Sequence, residues 1–312
     1  MPGRRRELPW FAGSVLVTLV LTAVFSAYLA PQSPTEGDIT QKLIPPIWTE
    51  RGTAEHPLGT DRFGRDVLSR VIYGSRISLL VSLIAIGVAG TFGTAIGLIA
   101  GYRGGLTDAI LMRLTDVGLS LPTILIAVVL VAVSEPSFGN VILIIALLLW
   151  PRFARQIRGE TLAVREQDLV AVAVVAGRSS AWIIARHIFP NVMPTLLVIS
   201  TLQVGYVILL EGTLSFLGVG VPPPNPAWGL MIADGRGFLA TAWWITLFPG
   251  LAMLLTVLAV NLMGDWLRDH LDPKLRQLGS RAIEPEGPAI EPAGQAIGGT
   301  RTRGAAAGAD GS

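Results

Sequence analysis

Long apolar runs separated by short polar ones set the pattern of this chain. A helix that crosses a bilayer needs about 20 predominantly apolar residues. Six stretches approach that length: Trp10–Ala30, Ile77–Gly101, Val117–Ser134, a fourth opening at Asn140–Trp150, Ile188–Leu210 and Thr241–Gly264. The fourth has a short uncharged part and is expected to continue into Arg152–Arg158 at a lipid surface. Together they predict an all-α polytopic membrane protein of about six transmembrane helices. Trp10–Ala30 follows Arg4, Arg5 and Arg6, as the apolar core of a signal peptide would. It exceeds the usual core of about 7–15 residues, and Ala27-Tyr28-Leu29-Ala30 lacks the small-x-small cleavage spacing, so we read it as a retained first span.

The connecting segments carry their own pattern. Within Arg62–Arg76, Phe63, Val67, Leu68, Val71 and Ile72 recur at helical spacing, while Arg62, Asp66, Ser69 and Arg70 fall elsewhere on the wheel. That periodicity predicts an amphipathic helix, either lying in the membrane interface or packed, solvated, on the protein's own outer surface. In the second span Gly87, Gly90, Gly93 and Gly97, with Ala89 and Ala100, place small residues on one face, as close helix packing in lipid requires. Pro122, Pro190, Pro194 and Pro249 predict kinks or broken ends. Val221-Pro222-Pro223-Pro224-Asn225-Pro226 predicts a rigid extended turn, and Trp228, Trp243 and Trp244 suit an interface belt. Asp272-Pro273 breaks the chain after the last span, and Gly279–Ser312, rich in Gly, Ala and Pro, is expected to be disordered.

Charge placement orients the spans. With the N-terminus inside, the internal segments hold Arg4–Arg6, Arg103, Arg113, then Arg152, Arg155, Arg158, Arg165, Arg178 and Arg186, and six tail cations from Arg268 to Arg303. The short external loops, Glu135–Gly139 and Gly212–Ala240, hold only Arg236. That asymmetry follows the positive-inside rule, which long segments such as 31–76 obey poorly. The map is a cytoplasmic N-terminus (1–9), a first span (10–30), an extracytoplasmic segment with the interfacial helix (31–76), the main transmembrane domain (77–267) and a cytoplasmic tail (268–312). Both termini fall inside.

Composition agrees and removes several classes. Only 15% of residues are charged, against about 25% in soluble domains. A net charge of +2 is too small to argue for nucleic acid. There is no cysteine, and His56, His187 and His270 are scattered, so thiolate chemistry and the usual metal-ligand spacings are absent. Neither Lys42 nor Lys274 sits in a phosphate-binding G-x-x-x-x-G-K-[ST] setting. No catalytic set and no metal site emerge.

Two places hold candidate chemistry. Glu211 ends a long apolar run, and a carboxylate there is costly in lipid. It either lines the outer part of a translocation path or anchors a helix end at the interface. In the large segment between the fourth and fifth spans, Asp168 is expected to cap a short helix, Leu169–Ala176, closed by Gly177. That helix is almost wholly apolar, so it wants either the groove of a cytosolic partner or a place back against the bundle.

At this segment the sequence resembles the permease subunits of type I ABC importers. Their signature is E-A-A, three residues, Gly, nine residues, I-x-L-P. Here Ala171-Val172-Ala173, Gly177 and His187-Ile188-Phe189-Pro190 occupy the frame, with Ala171 for the first Glu. The ending His187–Asn191 is similar to the H-I-x-P-N of the dipeptide/oligopeptide/nickel branch. His56-Pro57-Leu58-Gly59-Thr60-Asp61-Arg62-Phe63-Gly64-Arg65-Asp66-Val67-Leu68-Ser69-Arg70 resembles that branch's H-x-L-G-T-D-x-x-G-R-D-x-x-S-R block without departure. Glu211–Gly218 with Pro222-Pro223 and Trp228-Gly229 is similar to a second block, and Asn261–Asp269 with Leu271-Asp272-Pro273 to a third. The likeness covers roughly residues 10 to 277 and is to the C-type subunit.

The resemblance implies half of a translocation pathway, completed by a second, homologous permease. Two cytosolic ATPases would bind the ATP and magnesium and dock on coupling loop 158–191 at Asp168, Leu169, Ala171, Ala173, Gly177, His187, Pro190 and Asn191. An extracytoplasmic solute-binding protein would deliver substrate, and Glu211, Ser215 and Asn261 are the candidate pathway or gate positions. It implies the inner membrane of a prokaryote, no cofactor of the chain's own, and short peptides as cargo, with nickel, glutathione or oligosaccharide as alternatives. A secondary transporter would commonly show inverted repeats and intramembrane charge, and an intramembrane enzyme a nucleophile or metal set. Neither pattern is found.

Overall fold

The computed structural model of the chain describes residues 9–134 and 137–271. Trp10–Val24 forms α1 and Ser26–Leu29 forms α2, with Phe25 between them. At about 1.5 Å per residue, α1 is about 22 Å long, short of the ~30 Å hydrocarbon core, so the expected first span is completed only by α2.

The second span is longer than its apolar core. It is α3, Val67–Arg103, 37 residues without a break. This corrects the separate interfacial helix over Arg62–Arg76. Asp66 caps α3, its carboxylate accepting from the Ser69 amide at 2.7 Å, and nothing near Arg76 stops the helix. The residues before it turn back in an isolated bridge between Thr60 and Asp66. The wheel also departs from expectation: Asp66, Ser69 and Arg70 are buried and Phe63 is exposed, although Val67 is buried and Arg62 exposed as the pattern requires.

The third expected span is split. Gly105–Ser120 forms α4 and Thr123–Val133 forms α5, bent by 87° at Leu121-Pro122. Proline disfavours helix in the residue before it, and Leu121 is extended, with ψ 139°. Val117–Ser120 therefore belong to the preceding helix, and α5, with 11 residues, is about 16 Å long and cannot cross by itself.

Phe138–Arg165 forms α6, opened by a Ser137 cap on the Asn140 amide. It continues through Pro151 and carries Arg152, Arg155 and Arg158 on the same helix, as the expected continuation of the fourth span required. After α7, Asp168–Val175, and α8, Ser180–Ile183, a π-helical turn at Ile184–Ile188 leads into α9, Phe189–Phe216. Pro190 lacks an amide and its ring crowds the carbonyl four residues back, which the widened turn relieves. Trp228–Gly235 forms α10 and Trp244–Leu271 forms α11. Among the described residues four helices are long and apolar enough to cross a membrane, five if the bent α4–α5 pair is one span, and α1 is a shorter apolar helix. No strand occurs among the described residues.

Small residues hold α3 against α6. A methyl group on Gly93 would meet the Trp150 carbonyl at 2.5 Å, and one on Gly97 the Ala154 carbonyl at 2.7 Å. Gly87 faces open space, so the close face runs from Gly93 toward Gly101 and excludes the first glycine of the expected stripe. The main core joins α3, α5, α6 and α9 through Val81, Ala127, Ile145, Leu149, Phe153 and Leu214. Trp228 and Trp244, expected at the interface, are interior. Their indole N–H groups donate to the Val71 and Thr60 carbonyls at 3.0 and 3.1 Å, and Trp243 is exposed. Arg4–Arg6, Glu135, the Asp272-Pro273 break and the tail from 272 onward lie outside the described residues.

Candidate functional site

Two residues separate α6 from α7, and the short helix is built differently from expectation at its start. Gln167 is the capping residue, with no side-chain cap bond, and Asp168 is the first helical residue. A carboxylate in the first turn still suits the positive helix end. The far end closes as expected at Gly177, whose φ is +71°. The Arg178 amide reaches the Ala173 carbonyl at 3.2 Å and the Gly177 amide the Val174 carbonyl at 3.0 Å, the paired bonds of a Schellman stop.

One face of this helix folds back against the bundle and the other is left exposed. Val170 and Ala173 are buried beside Leu98, Ile157, Ile183 and Ile188. Leu169, Val172, Val174 and Val175 are exposed, Val175 by 89%. Ala171 lies on a groove shared with Tyr102, Arg103 and Arg165. Beyond α7, His187 meets the Trp182 ring edge-on at 5.1 Å, and the Asn191 side-chain Nδ2 donates to the His187 carbonyl at 2.6 Å. Asp168, Leu169, Ala171 and Gly177 thus share the α7 surface, while His187, Pro190 and Asn191 shape the turn that carries the chain into α9.

Glu211 lies inside α9, one turn before Ser215, and is fully buried. The Ser215 hydroxyl donates to Glu211 Oε1 at 2.6 Å and accepts from the Val221 amide at 3.1 Å. Neither an exposed anchor nor the wall of an open path fits this burial; the pair ties the loop after α9 to the helix. Gly212 and Gly229 bring α9 and α10 together, since a methyl on Gly229 would stand 2.2 Å from the Gly212 carbonyl. Asn261 is not part of this group. Its Oδ1 lies against Gly205, whereas Met253 lies against Gly212, so Asn261 is about two turns of α11 nearer the α7 end.

The largest polar constellation was missed by reading residues singly. At the end of α3 opposite α7, Asp61 accepts from the Phe63 and Arg65 amides at 2.8 and 3.0 Å and from Arg65 Nε at 2.6 Å. Arg70 lies 3.7 Å from the same carboxylate, and one of its nitrogens donates to the Pro34 carbonyl at 2.8 Å. Asp234 of α10 joins Arg62 at 2.8 Å and Arg65 at 3.3 Å. His56 stands 3.1 Å from Asp66 and 2.9 Å from Gln41. The signal available was the dense block His56–Arg70; nothing near Asp234 pointed to it. A second set, also unforeseen, ties α6 to its neighbours. Arg158 grips Asp108 with two bonds of 2.5 and 2.6 Å, Arg155 pairs with Asp116, and Arg165 donates to the Gly101 carbonyl at 3.1 Å.

The fold and site define a class: a multi-helix membrane bundle that carries one short helix with an exposed apolar face. Residues 93–277 match the family described as binding-protein-dependent transport system inner membrane component. The chain is 47% identical over 266 residues to the dipeptide transport system permease protein DppC of Escherichia coli K12, covering 85% of this chain and 89% of that one. It is 42% identical to the dipeptide transport system permease protein DppC of Haemophilus influenzae, with 85% and 90% covered. To the probable D,D-dipeptide transport system permease protein DdpC of Escherichia coli K12 it is 40% identical, with 83% and 85% covered. The chain belongs to the family of inner-membrane components of binding-protein-dependent transport systems. It is an ABC importer permease with the type I transmembrane fold, a multi-pass membrane protein.

Proposed function

We propose that this chain forms half of a peptide-conducting pathway and couples it to cytosolic ATPases that dock on α7. The observation that carries the coupling role is α7 itself. It is rooted by Val170 and Ala173, stopped at Gly177, and exposes four large apolar side chains. Exposed apolar surface of this kind favours a partner groove. The α7 end is then cytoplasmic, as are both termini, and the Asp61–Asp234 cap faces the solute-binding protein. Relatives named for dipeptide transport support short peptides over nickel, glutathione or oligosaccharide as cargo. A second, homologous permease completes the pathway, and ATP and magnesium belong to the ATPases. Glu211 and Ser215 act as a closure at the outer end, holding the loop at Val221.

The test is reconstitution. The chain with its co-purifying partners in proteoliposomes takes up radiolabelled dialanine only with ATP and binding protein. Uptake without ATP by the chain alone would sink the proposal. Replacing Leu169, Val172 and Val175 together with Ser removes the ATPases from the purified complex, and their full retention would remove α7 as the docking element.

A further inference from the structure

We propose that α4 is a lever of the transport cycle, and that Asp108 and Asp116 are positioning residues that tie it to α6 through Arg158 and Arg155. The inference rests on the coupling role proposed for α7.

Four observations converge on α4. First, both of its ends are joints. Gly104 and Gly105 each have positive φ, +66° and +55°, and a methyl on Gly105 would meet nothing within 4 Å. At the other end the chain turns by 87° into α5. Second, α4 has almost no hydrophobic root in this chain. Thr115 is its one buried residue, and Leu106, Ile110, Leu114 and Val117 are all more than half exposed. Third, α4 packs on both α3 and α6, and its polar anchors lie on α6. Asp108 is held by two bonds from Arg158 and Asp116 by Arg155, while Gly118 rests on the Pro151 ring. Fourth, α6 runs from these contacts to α7 across only Glu166 and Gln167.

The mechanical consequence follows from how differently the joints are made. Backbone-to-backbone packing at Gly93 and Gly97, and the Arg165 bond to the Gly101 carbonyl, make α3 and α6 one rigid body. A displacement of α7 enters that body directly. It reaches α4 mainly through two side-chain ion pairs. Partly exposed ion pairs cost little to break and remake, whereas a packed apolar interface does not slide continuously. An element with a joint at each end, held by pairs that can exchange, has the build of a two-state switch. The shift of α4 bears on α5 through the Leu121-Pro122 bend, while Ala127 and Val131 keep α5 rooted in the main core.

The decisive experiment uses the whole reconstituted complex and measures dialanine transported per ATP hydrolysed. For Asp108→Asn, hydrolysis is expected to stay within about twofold of wild type, while transport per ATP falls about tenfold, an ordinary coupling free energy. The exchange Asp108→Arg with Arg158→Asp restores most of the ratio. A wild-type ratio in Asp108→Asn overturns the proposal, and so does parallel loss of hydrolysis and transport. Where Asp108→Asn fails to assemble, Asp116→Asn serves, because its pair lies at the surface; a wild-type ratio there is equally fatal. Spin labels at Ile110 and Gln156 give a readout independent of cargo. Their separation changes when ATP is trapped in the wild-type complex, and an unchanged distance overturns the lever. A wild-type complex that takes up no dialanine yet shows that distance change counts against peptide import and leaves the lever standing.

Discussion

The two ends of α3 solve opposite problems. At the Val67 end, charges are buried and paired within the chain: Asp61, Arg65, Asp66 and Arg70 are each at most 7% exposed, and of the four Arg70 alone keeps a buried nitrogen without a hydrogen-bond partner. At the Arg103 end, beside α7, large apolar side chains stand in the open. The first region is a finished structure, since removing water from charges is tolerable only when partners replace it. The second is an unfinished one, since exposed apolar surface is relieved by association. The Val67 end is thus largely complete in itself, whereas the α7 end leaves apolar surface uncovered.

Four substitutions test that contrast, the strongest first. Asp61→Ala strips the partner from Arg65 and two backbone amides, and is expected to cost about 3–5 kcal/mol as a broken buried pair. Thermal unfolding in detergent reads the loss, and a melting curve unchanged from wild type would show the cap to be less integral than its burial implies. Gly177→Ala forces a side chain into left-handed backbone at a cost of about 1–2 kcal/mol, fraying α7 as seen in faster amide exchange at Ala176–Arg178. Trp228→Phe removes one hydrogen bond to Val71, worth about 1 kcal/mol, and leaves assembly intact. The triple change of Leu169, Val172 and Val175 to Ser touches exposed positions and should shift the melting of the chain by less than about 0.5 kcal/mol. It nevertheless abolishes ATPase co-purification. If that variant instead unfolds the chain, the two ends are alike and the contrast fails.

Legibility in the sequence followed the range of each interaction. The apolar run at Ile77–Gly101 lies within one long helix, and those at Ile188–Leu210 and Thr241–Gly264 do so from Phe189 and Trp244 onward, because span length is a local property. The stop at Gly177 was legible for the same reason. The boundaries were less so: Asp168 moved from the cap to the first helical position, and Pro122 split a span into two pieces at 87°. The amphipathic reading of Arg62–Arg76 failed because a wheel assumes that polar residues face water. Here Arg70 is buried under the Pro34 carbonyl, and no periodicity encodes a partner 36 residues away. Asp234 stands 169 residues from Arg65, and Asp108 stands 50 from Arg158.

By itself the sequence determined that the chain is a helical membrane protein, where most of its long helices run, and that a short apolar helix interrupts them after Arg165. Those follow from apolar length, from helix-stopping glycine and proline, and from the cost of an unpaired backbone in lipid, all of which act within a few residues. Only the tertiary structure decided which charges are buried, which tryptophans are interior, and that Glu211 closes on Ser215 while Asn261 stands apart. It also decided that α4 is held by ion pairs and α3 by backbone contact. The physical reason is common to all of these: each depends on which distant element supplies the partner, and that is fixed by packing.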